Sequence, residues 1–330
     1  MKKTIKFLVV LFMVIMLPGC FAEKENLKVK DFFPISSNTL YEFEGTGNEY
    51  AQYNVFIDYT SDNKIQKRIN NGGTSSVEVL ELTSNAIKRV YKQGESYYIS
   101  NRLNETNTDE VLLKEPITKG TKWDVEGGER SITGVNVSIN TPSGDYKAVE
   151  VTTKTDDNVI KDYYVKNLGF VKSVFKLKDS EVVSSLKKVT TTPLKQQITF
   201  YYPNDSKILF KNKEISFNTN DNIISIIEAE YKKSVNNIKS PFSNGTKINK
   251  IDISSSSLTI DLNGKFIEEM NAGSGYESLI LKSIVNTFGS YYQKEKVIIT
   301  IDDKLYQSGH FSFKKDEYIL VDTKNIEEIK

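Results

Sequence analysis

The strongest constraint on this chain is a two-residue alternation of apolar and polar side chains that recurs, broken by tight turns, from Asn38 to Leu177. A strand buries every second side chain on one face, so this period selects β structure over helix. Asn38 to Glu44, Tyr50 to Tyr59, Lys64 to Asn70, Val77 to Leu82, Ala86 to Tyr91, Ser131 to Ile139, Tyr146 to Thr153, Val159 to Val165 and Phe170 to Leu177 carry it or are β-branched and aromatic. Between them stand Asn71-Gly72-Gly73, Gly94-Glu95, Gly127-Gly128, Ser143-Gly144-Asp145 and Asp156-Asp157-Asn158, which tolerate positive φ. Such hairpins in succession predict an all-β antiparallel meander over 31–189, a curved sheet or half-barrel of about nine to eleven strands.

The pattern changes after Val189. Thr190 to Gln196 has no periodicity and contains Pro193, so 190–196 reads as a linker, with Lys187, Lys188 and Lys195 as the expected first tryptic sites. Beyond it, 197–330 mixes strands with two helical stripes. Ile224, Ile227, Tyr231, Val235 and Ile238 share one face of a helix that Asp221 would cap and Pro241 with Gly245 would end. A second helix begins at Ser274, where Ser274-Gly275-Tyr276-Glu277 reads as a capping box. With Ile248 to Ile253, Leu258 to Leu262 and Val297 to Ile301 as strands, the order ββαββαββ predicts an α/β two-layer sandwich. A length of 330 residues fits two domains.

At the other end, Lys2, Lys3 and Lys6 precede an apolar run from Phe7 to Leu17, which is too short to span a bilayer as a helix and ends at Pro18, Gly19 and Cys20. That layout is an export signal over 1–19. Leu17-Pro18-Gly19-Cys20 resembles the bacterial lipobox, although Pro18 departs from the usual small or β-branched residue. The resemblance implies a lipid-attachment site at Cys20, a tether over 20–30, and a partner in the lipid bilayer through the acyl anchor on the extracytoplasmic face of the cell membrane. Each buried acyl CH₂ adds about 0.8 kcal/mol of membrane affinity.

Composition narrows the chemistry. Lys plus Arg total 44 and Asp plus Glu 43, so no charge excess proposes nucleic acid as a partner. One Cys and one His argue against a zinc site, a disulfide framework or Ser-His catalysis. Ser173-Val174-Phe175-Lys176 and Ser185-Leu186-Lys187-Lys188 have Ser-x-x-Lys spacing without the helix start that chemistry needs. Asp156-Asp157, Glu268-Glu269, Asp302-Asp303 and Glu327-Glu328 read as solvated charges, Glu277 as a cap and His310 as a surface or satisfied histidine. No catalytic, cofactor or metal residue is expected.

Two resemblances add expectations. Asp31-Phe32-Phe33-Pro34 with Asn38 to Phe43, and Tyr163 to Lys172, are similar to motifs of extracytoplasmic bacterial lipoproteins, which implies fold and location. Leu258-Thr259-Ile260-Asp261-Leu262, Gly273-Ser274, Glu277, Ile284 to Phe288 and Val297 to Asp303 resemble the spore-germination GerMN domain, from about Gln197 to Phe313. Asp303 stands where that family usually has glycine, and the loop Phe266 to Ala272 also departs. The likeness implies a non-enzymatic assembly role in sporulation or spore germination, through contact with other envelope or spore-assembly proteins. The alternative is an envelope ligand-binding protein whose β domain cradles its ligand with Tyr50, Tyr53, Tyr59, Tyr91, Tyr97, Tyr98, Tyr163 and Tyr164. Replacing Cys20 with Ala should leave uncleaved precursor or release the chain to the medium. A processed, membrane-bound Cys20→Ala form labelled by palmitate would overturn the anchor.

Overall fold

A computed structural model of the protein describes residues 26–156, 158–178 and 180–330. The export signal, Cys20, most of the tether and Asp157 lie outside the described residues. The alternating region forms twelve strands: β1 (Thr39–Thr46), β2 (Tyr53–Thr60), β3 (Lys64–Asn70), β4 (Ser75–Leu82), β5 (Ala86–Gln93), β6 (Glu110–Lys114), β7 (Lys122–Val125), β8 (Gly128–Thr141), β9 (Gly144–Thr155), β10 (Val159–Val165), β11 (Gly169–Lys176) and β12 (Glu181–Thr191). They make one antiparallel sheet in the order β6-β5-β4-β3-β2-β1-β12-β11-β10-β9-β8-β7. Chain order is kept except that β1 joins β12, so the sheet curls and its first strand meets its last. The edges β6 and β7 approach without a ladder. Trp123 Nε1 on β7 (3.0 Å) and the Arg130 guanidinium on β8 (2.6 Å) both donate to the Val111 carbonyl on β6. The half-barrel expectation holds. The strands that escaped the pattern, β6, β7 and β12, are short or carry lysines and serines on an exposed face.

The two sequence motifs at the ends of this region touch. Asn167 N donates to Asp31 O (2.7 Å), and Gly169 (φ +81°) lies under Pro34, where a Cβ would stand 3.1 Å from Pro34 Cδ. The tether ends earlier than 30, because Val29–Phe32 is a 3₁₀ turn with Val29 and Phe32 buried.

No free linker follows. Thr190 and Thr191 pair with β1, and β13 (Leu194–Asn204) starts two residues later, paired along its length with β14 (Lys207–Phe217). Lys187, Lys188 and Lys195 thus lie in paired strands rather than in an open segment. The remaining elements are α1 (Ile223–Tyr231), β15 (Ile248–Ile253), β16 (Leu258–Leu262), α2 (Lys265–Glu268), α3 (Ser274–Tyr292), β17 (Lys296–Ile301), β18 (Lys304–Leu305), β19 (Ile319–Leu320) and β20 (Glu327–Glu328). The α/β arrangement is as expected, with β16 and β17 parallel across α3. Helix α1 stops at Tyr231 rather than running to Ile238. Asn236 (φ 46°) and Asn237 (φ 65°) take left-handed turns, and Val235 bridges back to Ile238. Its N-cap is Asn222, which accepts from Ser225 N at 3.1 Å, not Asp221.

Strands β2 to β5 are covered on both faces. Their outward residues, among them Tyr59, Val77, Val79 and Tyr91, share one apolar core with Phe200, Tyr231 and Phe288 of the α/β region. Within this seam lies an ion pair. Arg68 meets Asp58 at 2.9 Å with side chains 4% and 0% exposed, and its guanidinium also donates to the carbonyls of Ser96 and Tyr98. Removing one partner strands the other charge, so Arg68→Met alone should cost about 3–5 kcal/mol. The pair Asp58→Leu with Arg68→Met should recover most of it in denaturant unfolding. A single variant as stable as the wild type would refute the assignment.

Candidate functional site

The inward face of the curled sheet lines an open cavity of about 560 Å³, within the usual range of small-molecule sites. Its position follows from strand parity. On β3, Gln66 and Arg68 point outward to the seam, so Ile65, Lys67 and Ile69 point in. On β10 the inward set is Ile160, Asp162 and Tyr164. Four rings, on β2, β1, β11 and β10, make a continuous wall that passes over β12. Tyr53 stacks on Phe43 at 4.7 Å, Phe43 meets Phe170 at 5.7 Å, and Phe170 meets Tyr164 edge-on at 5.9 Å. Phe32, Phe33 and Pro34 line one side, where Gly169 makes room for them.

Facing the rings is a chain of charges on neighbouring strands. Lys67 pairs with Glu78 at 3.1 Å, Arg89 pairs with both Glu78 and Glu110, and Arg130 pairs with Glu110 at 2.9 Å. Each glutamate sits between two cations. Burial pushes both carboxyls up, but Lys67 and Arg89 beside Glu78, and Arg89 and Arg130 beside Glu110, outweigh it and hold both below the usual range. Every nitrogen of the two guanidiniums makes a hydrogen bond, Arg130 donating also to Thr153 Oγ1 (2.7 Å) and the Val111 carbonyl. Asp162 differs. It accepts from Ser173 Oγ at 2.7 Å, and burial pushes its carboxyl up. No ion pair joins it to a cation among the described residues.

Of the eight tyrosines proposed as a cradle, only Tyr53 and Tyr164 line the cavity. Tyr59, Tyr91 and Tyr98 belong to the seam core, Tyr50 and Tyr97 are exposed, and Tyr163 donates to Glu150 at 2.9 Å away from the cavity. Tyrosine count was the wrong signal, since the ring is common in any strand. Parity held a better one: Lys67 between Ile65 and Ile69, and Asp162 between Ile160 and Tyr164, are charges at positions where the alternation demands an apolar side chain.

The α/β region holds two further clusters. Ser274 does not cap α3; the N-cap is Gly273, and Glu277 does not reach back. Glu277 is instead 1% exposed and accepts from Tyr306 Oη (2.6 Å) and pairs with His310 Nδ1 (2.7 Å). Burial raises its carboxyl, and bonds from Ser308, Tyr306 and His310 more than offset this, leaving it low. The cluster ties the segment after β18 onto α3. Asp303, in place of glycine, adopts φ 61°, and its N–H is taken by Asp261 Oδ1 at 2.8 Å. Among the described residues no group of His, Cys, Asp and Glu could hold a metal ion, and no helix is long and apolar enough to cross a membrane.

Comparison with family models places a match on residues 199–307, from β13 to β18, to a family described as sporulation and spore germination. This segment matches the Germane family. The match falls inside the span expected from the sequence. Nothing among curated proteins matches the chain. Among solved structures, the tandem GerMN domains of the sporulation protein GerM from Bacillus subtilis align at 18% identity over 42% of this chain and 48% of that one, with a TM-score of 0.30. A chain described as a lipoprotein from Clostridium perfringens aligns at 18% identity over 39% of this chain and 87% of its own, TM-score 0.26. An exported protein with a YmcC-like fold from Bacteroides fragilis aligns at 14% identity over 48% and 99%, TM-score 0.31. The cavity lies outside the Germane segment.

Glu78 and Glu110 set a pH dependence. Their folded pKa values are depressed, so their contribution is full above the unfolded glutamate value of about 4.3 and is lost as pH falls through the folded values. Denaturant titrations between pH 6 and 3 should show a smaller acid loss for Glu78→Gln/Glu110→Gln than for the wild type. An unchanged slope would show that the charge chain does not titrate as described.

Proposed function

We propose that this protein is a lipid-anchored extracytoplasmic protein that acts in sporulation or spore germination by contact with other proteins rather than by catalysis. The Germane match over 199–307 carries the reading. The lipobox-like Leu17 to Cys20 supports the anchor, and the non-enzymatic part is supported by a Glu277 whose oxygens are occupied by structural partners. In the bacterium that makes it, loss of the gene should lower the yield of heat-resistant spores or slow their germination. Full-length protein should restore the phenotype and Cys20→Ala should restore it less. Normal spore yield and germination in the null strain would defeat the proposal. A second reading, ligand carriage by the β region, is favoured by one observation: a ring-walled cavity of about 560 Å³ on the inner face of the sheet.

A further inference from the structure

The cavity's polar groups say what kind of ligand would suit it; the inference rests on the ligand-carriage reading. Three features coincide. The wall is mostly apolar, with the four contiguous rings Tyr53, Phe43, Phe170 and Tyr164 on one side. The cations on the wall already have partners, Lys67 in Glu78, Arg89 in Glu78 and Glu110, and Arg130 in Glu110, Thr153 and a carbonyl, so an incoming anion would compete with carboxylates already in place. The one inward acid outside the charge chain is Asp162, two residues from Tyr164 on the same face of β10 and held by Ser173. A carboxylate in an apolar site gains most from a cation or a proton, and ring faces attract cations most strongly where water is excluded.

We propose that the cavity binds an organic cation with an apolar body, the body lying against the ring wall and the amine or quaternary ammonium head meeting Asp162. Tyr53 and Tyr164 line the same cavity as Asp162, Tyr164 from the same face of the same strand. A bound cation would give Asp162 the close ion-pair partner it lacks among the described residues, where Arg130 and Arg89 act on it only from beyond ion-pair distance.

The test uses calorimetry on the mature full chain carrying Cys20→Ala, which leaves the folded region beginning at Val29 intact. The probes are decyltrimethylammonium, decanoate and 1-decanol, matched in chain length and below their aggregation limits. The cation should bind at least tenfold more tightly than decanol, and decanoate more weakly than either. Asp162→Asn should erase the advantage of the cation while leaving decanol affinity unchanged. Tyr53→Leu should weaken the cation several-fold more than decanol, and serves as the second variant if Asp162→Asn unfolds. Decanoate binding as tightly as the cation, or a cation preference surviving both substitutions, would overturn the proposal while leaving ligand carriage standing. No binding of any probe would overturn both.

Discussion

The Arg68 guanidinium is the group around which the two halves of the molecule are organised. It lies on the outward face of β3 and is 4% exposed beneath the 96–98 segment, on which the α/β region packs in turn. A buried guanidinium has five donors to satisfy. Asp58 on β2, Ser75 on β4 and the carbonyls of Ser96 and Tyr98 supply acceptors. The last two fix an irregular stretch between β5 and β6 so that Tyr98 packs edge-on against Tyr292 at 5.2 Å and Ile99 N donates to Tyr291 Oη at 3.1 Å. Since Tyr291 and Tyr292 end α3, one ion pair in the sheet sets where the longest helix rests.

This seam explains why an apparent linker is two strands joined by Thr192 and Pro193. Thr190 to Gln196 lacks alternation because the residues cross from one sheet to the next with their edges exposed, while their backbone pairs with β1 on one side and β14 on the other. Hydrophobic pattern reports side-chain burial; it is silent where a strand is held by its backbone alone. β6, β7 and β12 were hidden for another reason: each buries a core side chain, Leu113, Trp123 and Leu186, but the strands are short or otherwise polar. Conversely, Ile248 to Ile253 and Leu258 to Leu262 were legible to the residue, because α1 and α3 bury one face of them cleanly.

Local rules failed where a long-range partner outbid a near one. Ser274 and Glu277 have the spacing of a capping box, yet the Glu277 carboxylate gains two short hydrogen bonds from a segment about thirty residues downstream. A capping interaction contributes roughly 1 kcal/mol, and a buried carboxylate satisfied by a phenol and an imidazole exceeds that. Asp303 shows the reverse. An aspartate tolerates left-handed φ better than most residues, and the tight turn remains possible because buried Asp261 accepts Asp303 N, Thr300 Oγ1 and Asn249 Nδ2 together. The departure from glycine is thus absorbed one strand away.

The contrast between the two faces of β2 to β5 bears on why the cavity stays open. Outward, apolar residues meet apolar residues and the face closes to full packing. Inward, Lys67, Glu78 and Arg89 occupy parity positions that would otherwise carry aliphatic side chains. Collapse of the ring wall onto them would trap ions already paired across strands, adding desolvation without a new partner. The charge chain therefore acts as a spacer, and the seam on the other face keeps the sheet from relaxing its curl to fill the gap. An apolar wall kept apart from an ion-paired wall leaves Asp162 as the one inward acid of the cavity without an ion pair among the described residues.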